Sequence, residues 1–225
     1  LENFDSYSNH PLSYRVARKG GEHSDPHISR SQKIRTFAKT VGFTFKDVNP
    51  TIKSNFGKFT SGEMRIKYEG NIISGKIDEN LITISDLSLV MGGTMKAQIS
   101  QVTVLSIANL HLGIPIFTLQ KEGLVDKLID KAFWDDIDFE EYPEFSNKYQ
   151  LRGINEKSVR VFFTPDIIEL FEKHQIYSIE SLGSEIILYR AGKMLNMDEM
   201  RNALNFIKEL MQIIKKTSEK EFANN

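Results

Sequence analysis

Residues 63–90, EMRIKYEGNIISGKIDENLITISDLSLV, decide the fold class. Met64, Ile66 and Tyr68 alternate with Arg65, Lys67 and Glu69, the period of a strand with one buried face. Residues 71–77 and 81–90 then flank Asp78-Glu79-Asn80 as a hairpin. The apolar phase shifts between Ile84 and Leu87, which puts a β-bulge near Asp86. Strands joined by connections this short pair antiparallel.

Downstream, QVTVLSIA at 101–108 is apolar on both faces and reads as a central strand, followed by PIFTL at 115–119. Leu124, Leu128, Ala132 and Phe133 predict a helix over 121–134. Tyr149 and Leu151 mark a short strand, and Asn155 caps a helix containing Val159, Phe162 and Phe163. Thr164-Pro165-Asp166 starts another, with Thr as cap, Pro in the first turn and Asp at the positive end of the dipole. IYSIES and EIILYR form a hairpin around Leu182-Gly183-Ser184. Asn196 and Glu199 open the longest amphipathic helix, with Met200, Leu204, Ile207, Leu210, Met211 and Ile214 on one face.

Upstream, Ile34, Phe37, Ala38 and Val41 predict a helix ended by Gly42, and Asn49-Pro50 resembles the start of a short helix carrying Ile52 and Phe56. The expected fold is α+β: a mainly antiparallel sheet of about six to seven strands with helices packed on it. Residues 1–31 read as an irregular arm, biased to Arg15, Arg18, Lys19 and Arg30 and suited to anionic lipid headgroups. Residues 32–216 read as a single domain with a possible seam near 135–147, and 217–225 as a frayed tail.

Composition excludes several functions. No cysteine is present, so disulfides, thiolate nucleophiles and Cys-ligated zinc are absent. The 29 basic and 30 acidic residues give no global field that would favour nucleic acid. No G-x-S-x-G, P-loop, dinucleotide fingerprint or H-E-x-x-H occurs. His23 and His27 are separated by Asp25-Pro26, which breaks a helical metal pair, while His111 and His174 stand alone.

The densest polar chemistry lies in DDIDFEEYPEFSNKYQLRG, residues 135–153. Asp136, Asp138, Glu140 and Glu144 could converge on a hard cation, but the loop lacks the glycine turn and spacing of a calcium site. As a facing pair they would suit the acid and base of a hydrolase acting through 135–144. Phe139, Tyr142, Pro143 and Phe145 are interspersed as if to pack on a core, which favours a structural clamp salt-bridged to Arg152 or Arg160. No metal or cofactor is expected.

Taken together, GNIISGKIDENLITISDLSL, GIPIFTLQKEG, DIDFEEYPEFSNKYQLRG, VRVFFTP and SIES resemble a family of uncharacterised bacterial proteins over about residues 33–214. The most specific part is Asp136 to Gly153; the aromatic residues of that pattern are missing at Leu87 and Leu89. The resemblance implies membrane segments preceding a soluble cytoplasmic domain, and brings no catalytic residue or cofactor. A first residue that is Leu rather than Met agrees with an anchor upstream. The expectation is therefore a non-catalytic, membrane-tethered domain on the cytoplasmic side that binds a protein partner or anionic lipid headgroups. The hydrolase is the alternative.

Overall fold

The computed structural model of the chain describes residues 29–49, 51–57, 64–91, 98–108, 113–122, 136–174 and 177–223. Most of the basic arm and the helix predicted over 121–134 lie outside the described residues.

The first helix, α1 (Arg30–Thr40), opens on a capping box. Ser29 accepts from the Gln32 backbone N–H, and the Gln32 side chain accepts in return from Ser29. It ends where Gly42 adopts φ +73°, which a side chain would strain. Then come β1 (Thr44–Val48), β2 (Arg65–Ile77), β3 (Asn80–Met91), β4 (Gln98–Ala108) and β5 (Ile116–Lys121). The second half comprises α2 (Pro143–Lys148), β6 (Tyr149–Gly153), α3 (Glu156–Phe162), α4 (Pro165–Lys173), β7 (Ser178–Leu182), β8 (Glu185–Tyr189) and α5 (Met197–Ala223).

All eight strands form one antiparallel sheet in the order β1-β2-β3-β4-β8-β7-β5-β6. The α+β class is as expected, with more strands than the six to seven anticipated. One addition is β1, whose five residues flank a polar connection. The bulge falls opposite Asp86 but on β2: the register shifts between Gly70 and Ile73, and Asn71 takes φ 49°.

One row across the sheet, Phe45–Ile73–Ile84–Leu105–Leu188–Ile179–Leu119–Leu151, is apolar in every strand. The helices cover this face, and Ile34, Phe37, Phe145, Phe163, Phe171, Phe206 and Ile207 pack with it in the main core. Gly153 lets α3 approach, since a Cβ there would meet Val159 at 2.5 Å. Asp86 ties this face together. It takes a two-pronged ion pair from Arg30 at 2.8 Å and bonds from Thr103 and Asn71, while Arg30 also donates to the Leu195 carbonyl. Arg30 is thus a folded-domain residue, not part of a basic arm.

Three local expectations are corrected. The described residues 51–57 are not helical; Asn49 Nδ2 donates to Glu69, and the Lys53 N–H, which a helix would turn inward, donates to the same carboxylate. Thr164 has the extended geometry of a cap, yet its hydroxyl makes no capping bond. Helix α5 runs on to Ala223, past Thr217, as nothing in SEKEFA breaks a helix.

Candidate functional site

The opposite face of the sheet inverts the pattern. Shifted by one residue along each strand, the row becomes Thr44–Ser74–Thr83–Ser106–Ile187–Glu180–Thr118–Arg152. Seven of these eight residues are polar, although alternation would permit either face to be so. A smaller apolar cluster of Leu87, Val102, Val104, Ile187 and Tyr189 lies on this side beneath Phe56.

Asn49 and residues 51–57 lie across this face as a strap held by three carboxylates. Asn49 Nδ2 and the Lys53 N–H donate to Glu69 Oε2 at 3.2 and 2.9 Å. Asn55 Nδ2 donates to Glu185 Oε2 at 2.6 Å, and the Gly57 N–H to Glu180 Oε2 at 3.0 Å. Phe56 meets Tyr189 edge-on, their ring centres 4.7 Å apart. Beside the strap a groove of about 450 Å³ is lined by Lys46, Lys53, Ser74, Thr83, Ser106 and Glu185 among others.

Towards β5, β6 and β7 the same face becomes buried while staying polar. Glu180 is 1% exposed. Besides Gly57 it has the Tyr189 hydroxyl, which donates to Oε1 at 3.4 Å, and Gln120 donates to Tyr189 at 3.3 Å. Burial outweighs these bonds and pushes the Glu180 carboxyl up from 4.5 to about 7, and Tyr189, buried beside it, is raised well above 10. Arg152 is 8% exposed, and among the described residues its Nε and Nη1 have no hydrogen-bond partner. Gln150 Oε1 is likewise buried without one.

In the acidic stretch backbone amides, one of the two partners expected of a clamp, stand where the arginine could have been. Asp136 lies opposite Arg152 as an isolated antiparallel bridge beyond β6, and no salt bridge joins their side chains. Its carboxylate instead accepts from the Ile137 and Leu151 N–H groups, both at 3.1 Å, and from Gln150 Nε2 at 3.2 Å. Amide donors take up this carboxylate before the guanidinium does. Asp138, Glu140 and Glu144 are exposed. Arg160 bonds the Asp138 carbonyl at 2.7 Å and pairs with Glu156, not with a carboxylate of the stretch. The packing role of the stretch is real: Phe145 and Tyr149 are buried within a chain of ring contacts that includes Phe163 and Phe171, and Phe139 is half-buried against it.

Of the four carboxylates, Asp136 is taken up by amide donors, while Asp138, Glu140 and Glu144 lie exposed. Among the described residues no group of His, Asp and Glu is arranged to hold a metal. Sequence reasoning singled out Arg152 but missed Glu180. The signal was a charged residue in the SIES strand, midway between Ser178 and the turn.

No family model and no curated protein matches the sequence. Among solved structures, the crystal structure of the mycobacterial trehalose monomycolate transport factor A, TtfA, is similar, with a TM-score of 0.57 over 83% of this chain and 94% of that one. The likeness is one of fold. At 10% identity it carries no residue from one chain to the other.

Proposed function

We propose that the chain is a non-catalytic binding domain working beside a membrane, on its cytoplasmic side, with the strap face as its binding surface. The observation that carries this is the burial of Glu180 and Arg152 on a face whose register would accept apolar residues. Buried charges cost stability, so their presence supports a role other than holding the sheet together. The transport factor that shares the fold supports an accessory role rather than chemistry, and the family resemblance supports a membrane segment upstream. Among the described residues no helix is long and apolar enough to cross a membrane. The partner is a membrane-borne protein or anionic lipid headgroups.

Photo-crosslinking in membranes from cells expressing the full-length gene product tests this. A photoreactive residue at Thr83, in the groove, is expected to give a defined adduct that Ser106→Trp removes without altering the melting temperature, while one at exposed Lys208 gives none. Recovery of the protein in the soluble fraction at low salt, with equal adducts from both positions, would overturn the reading.

A further inference from the structure

Buried Glu69 on β2 gathers one corner of the strap face, where β1 is the edge strand of the sheet. Its Oε2 accepts from Asn49 Nδ2 and from the Lys53 N–H, and its carbonyl accepts from the Asn49 N–H at 3.1 Å. The residues directly before these two anchored points are Val48 and Ile52, which are 45% and 39% exposed. Alternation along β1 puts Lys46 on the same side as Val48, and Lys46 and Lys53 both line the groove. Neither lysine forms an ion pair among the described residues; Lys46 Nζ reaches only Asn49 Oδ1, at 3.5 Å. Asp47, the acidic residue between them, points the other way and accepts from Ser31 of α1 at 2.7 Å. One buried carboxylate therefore holds two aliphatic side chains out in solvent, with an unpaired lysine on either side.

We propose that this corner, formed by Lys46, Val48, Ile52 and Lys53, docks on an anionic lipid bilayer. Val48 and Ile52 enter the boundary between headgroups and acyl chains, and the two lysines meet the negative groups of the headgroups. Exposed aliphatic side chains alone would fit an apolar groove on a protein as well. Unpaired lysines flanking them select a surface that is anionic outside and apolar just beneath, because a lysine lays its stem along apolar material and keeps its ammonium at the polar boundary. The inference rests on the strap face working beside a membrane, and names the edge of that face that meets the lipid.

Flotation of the full chain with vesicles tests it, comparing phosphatidylcholine mixed with phosphatidylserine against phosphatidylcholine alone. Binding is expected to need the anionic lipid and to weaken as salt rises. Lys46→Gln with Lys53→Gln should weaken it about tenfold or more, each charge near an anionic surface being worth about fivefold. Val48→Ser with Ile52→Ser should also weaken it about tenfold or more, while Lys208→Gln on α5 should leave it unchanged. All five positions are exposed, so the melting temperatures are expected to stay the same. Insertion has its own readout, because the chain has no cysteine. An environment-sensitive dye on Ile52→Cys should shift to the blue with the mixed vesicles, and the same dye on Lys208→Cys should not. Binding that survives both double substitutions, as attachment through Arg15, Arg18 and Lys19 alone would give, overturns the proposal. So does an unshifted dye at Ile52→Cys, or no binding at all. That failure would leave the groove crosslink from Thr83 untouched, whereas vesicle docking without the crosslink would sink the groove reading alone.

Discussion

Arg30 and Arg152 sit on opposite faces of the same sheet and are treated in opposite ways. Arg30 spends both prongs on Asp86 at 2.8 Å and adds Thr103 and the Leu195 carbonyl, so one side chain joins α1, β3, β4 and the turn before α5. Arg152 is buried more deeply, yet its Nε and Nη1 face no acceptor among the described residues. The first arrangement is what a charge looks like when it fixes elements to one another, because leaving any member unpaired is costly. In the second, no described group of the fold takes up the charge's Nε and Nη1. The rows around them repeat the contrast, apolar in all strands on the helix-covered face and polar in nearly all on the strap face.

This contrast can be broken by substitution. The largest loss is expected at Phe145, buried on the helix-covered face among Tyr149, Phe163 and Phe171. Its replacement by Ala should cost about 3 to 5 kcal/mol in urea unfolding. A midpoint equal to the native one would remove that face from the core. Next comes Asp86→Ala. It strands Arg30, which is part-exposed and so partly rescued by water, and a loss of about 2 to 3 kcal/mol is expected. A change below about 0.5 kcal/mol would mean that the network is not what holds α1. The smallest effect belongs to the strap face: Ser106→Ala, in the groove, should stay within about 0.5 kcal/mol in the same assay. A loss comparable to Phe145→Ala would erase the distinction between the faces.

The sequence carried the strands and their hairpins openly, because alternation such as Met64-Arg65-Ile66-Lys67 has one physical meaning. Capping chemistry was equally direct at Asn155 and at Asn196 with Glu199, whose reciprocal bonds are made. What it concealed is pairing between distant strands. Nothing local in YQLRG, PIFTL or SIES says that Arg152, Thr118 and Glu180 share a row, since strand order β7-β5-β6 is fixed only by the whole sheet. Which partner a clamp carboxylate would take was hidden for a related reason. The count of carboxylates near Arg152 was visible, but not that backbone amides of β6 would take up Asp136 first. The strap was misread as a helix because nothing local shows that the Lys53 N–H and Asn49 Nδ2 are taken up by Glu69 of a distant strand.

Whether the strap face carries charge at a cost to the fold is read from the unfolding free energies of the native chain and Glu180→Gln across pH. Glu180 is protonated in both states below 4.5, and between 4.5 and about 7 the unfolded chain loses its proton while the buried carboxyl keeps it. Stability contributed by this residue therefore falls as pH rises through that window and levels above it, by about 3 kcal/mol at 1.36 kcal/mol per pH unit. Glutamine keeps an acceptor for the Gly57 N–H and has no proton to lose. The two proteins are expected to be equally stable near pH 4.5, and Glu180→Gln the more stable by about 2 to 3 kcal/mol at pH 8. A variant less stable than the native chain at pH 8 would contradict it, and would make Glu180 a structural anchor like Asp86.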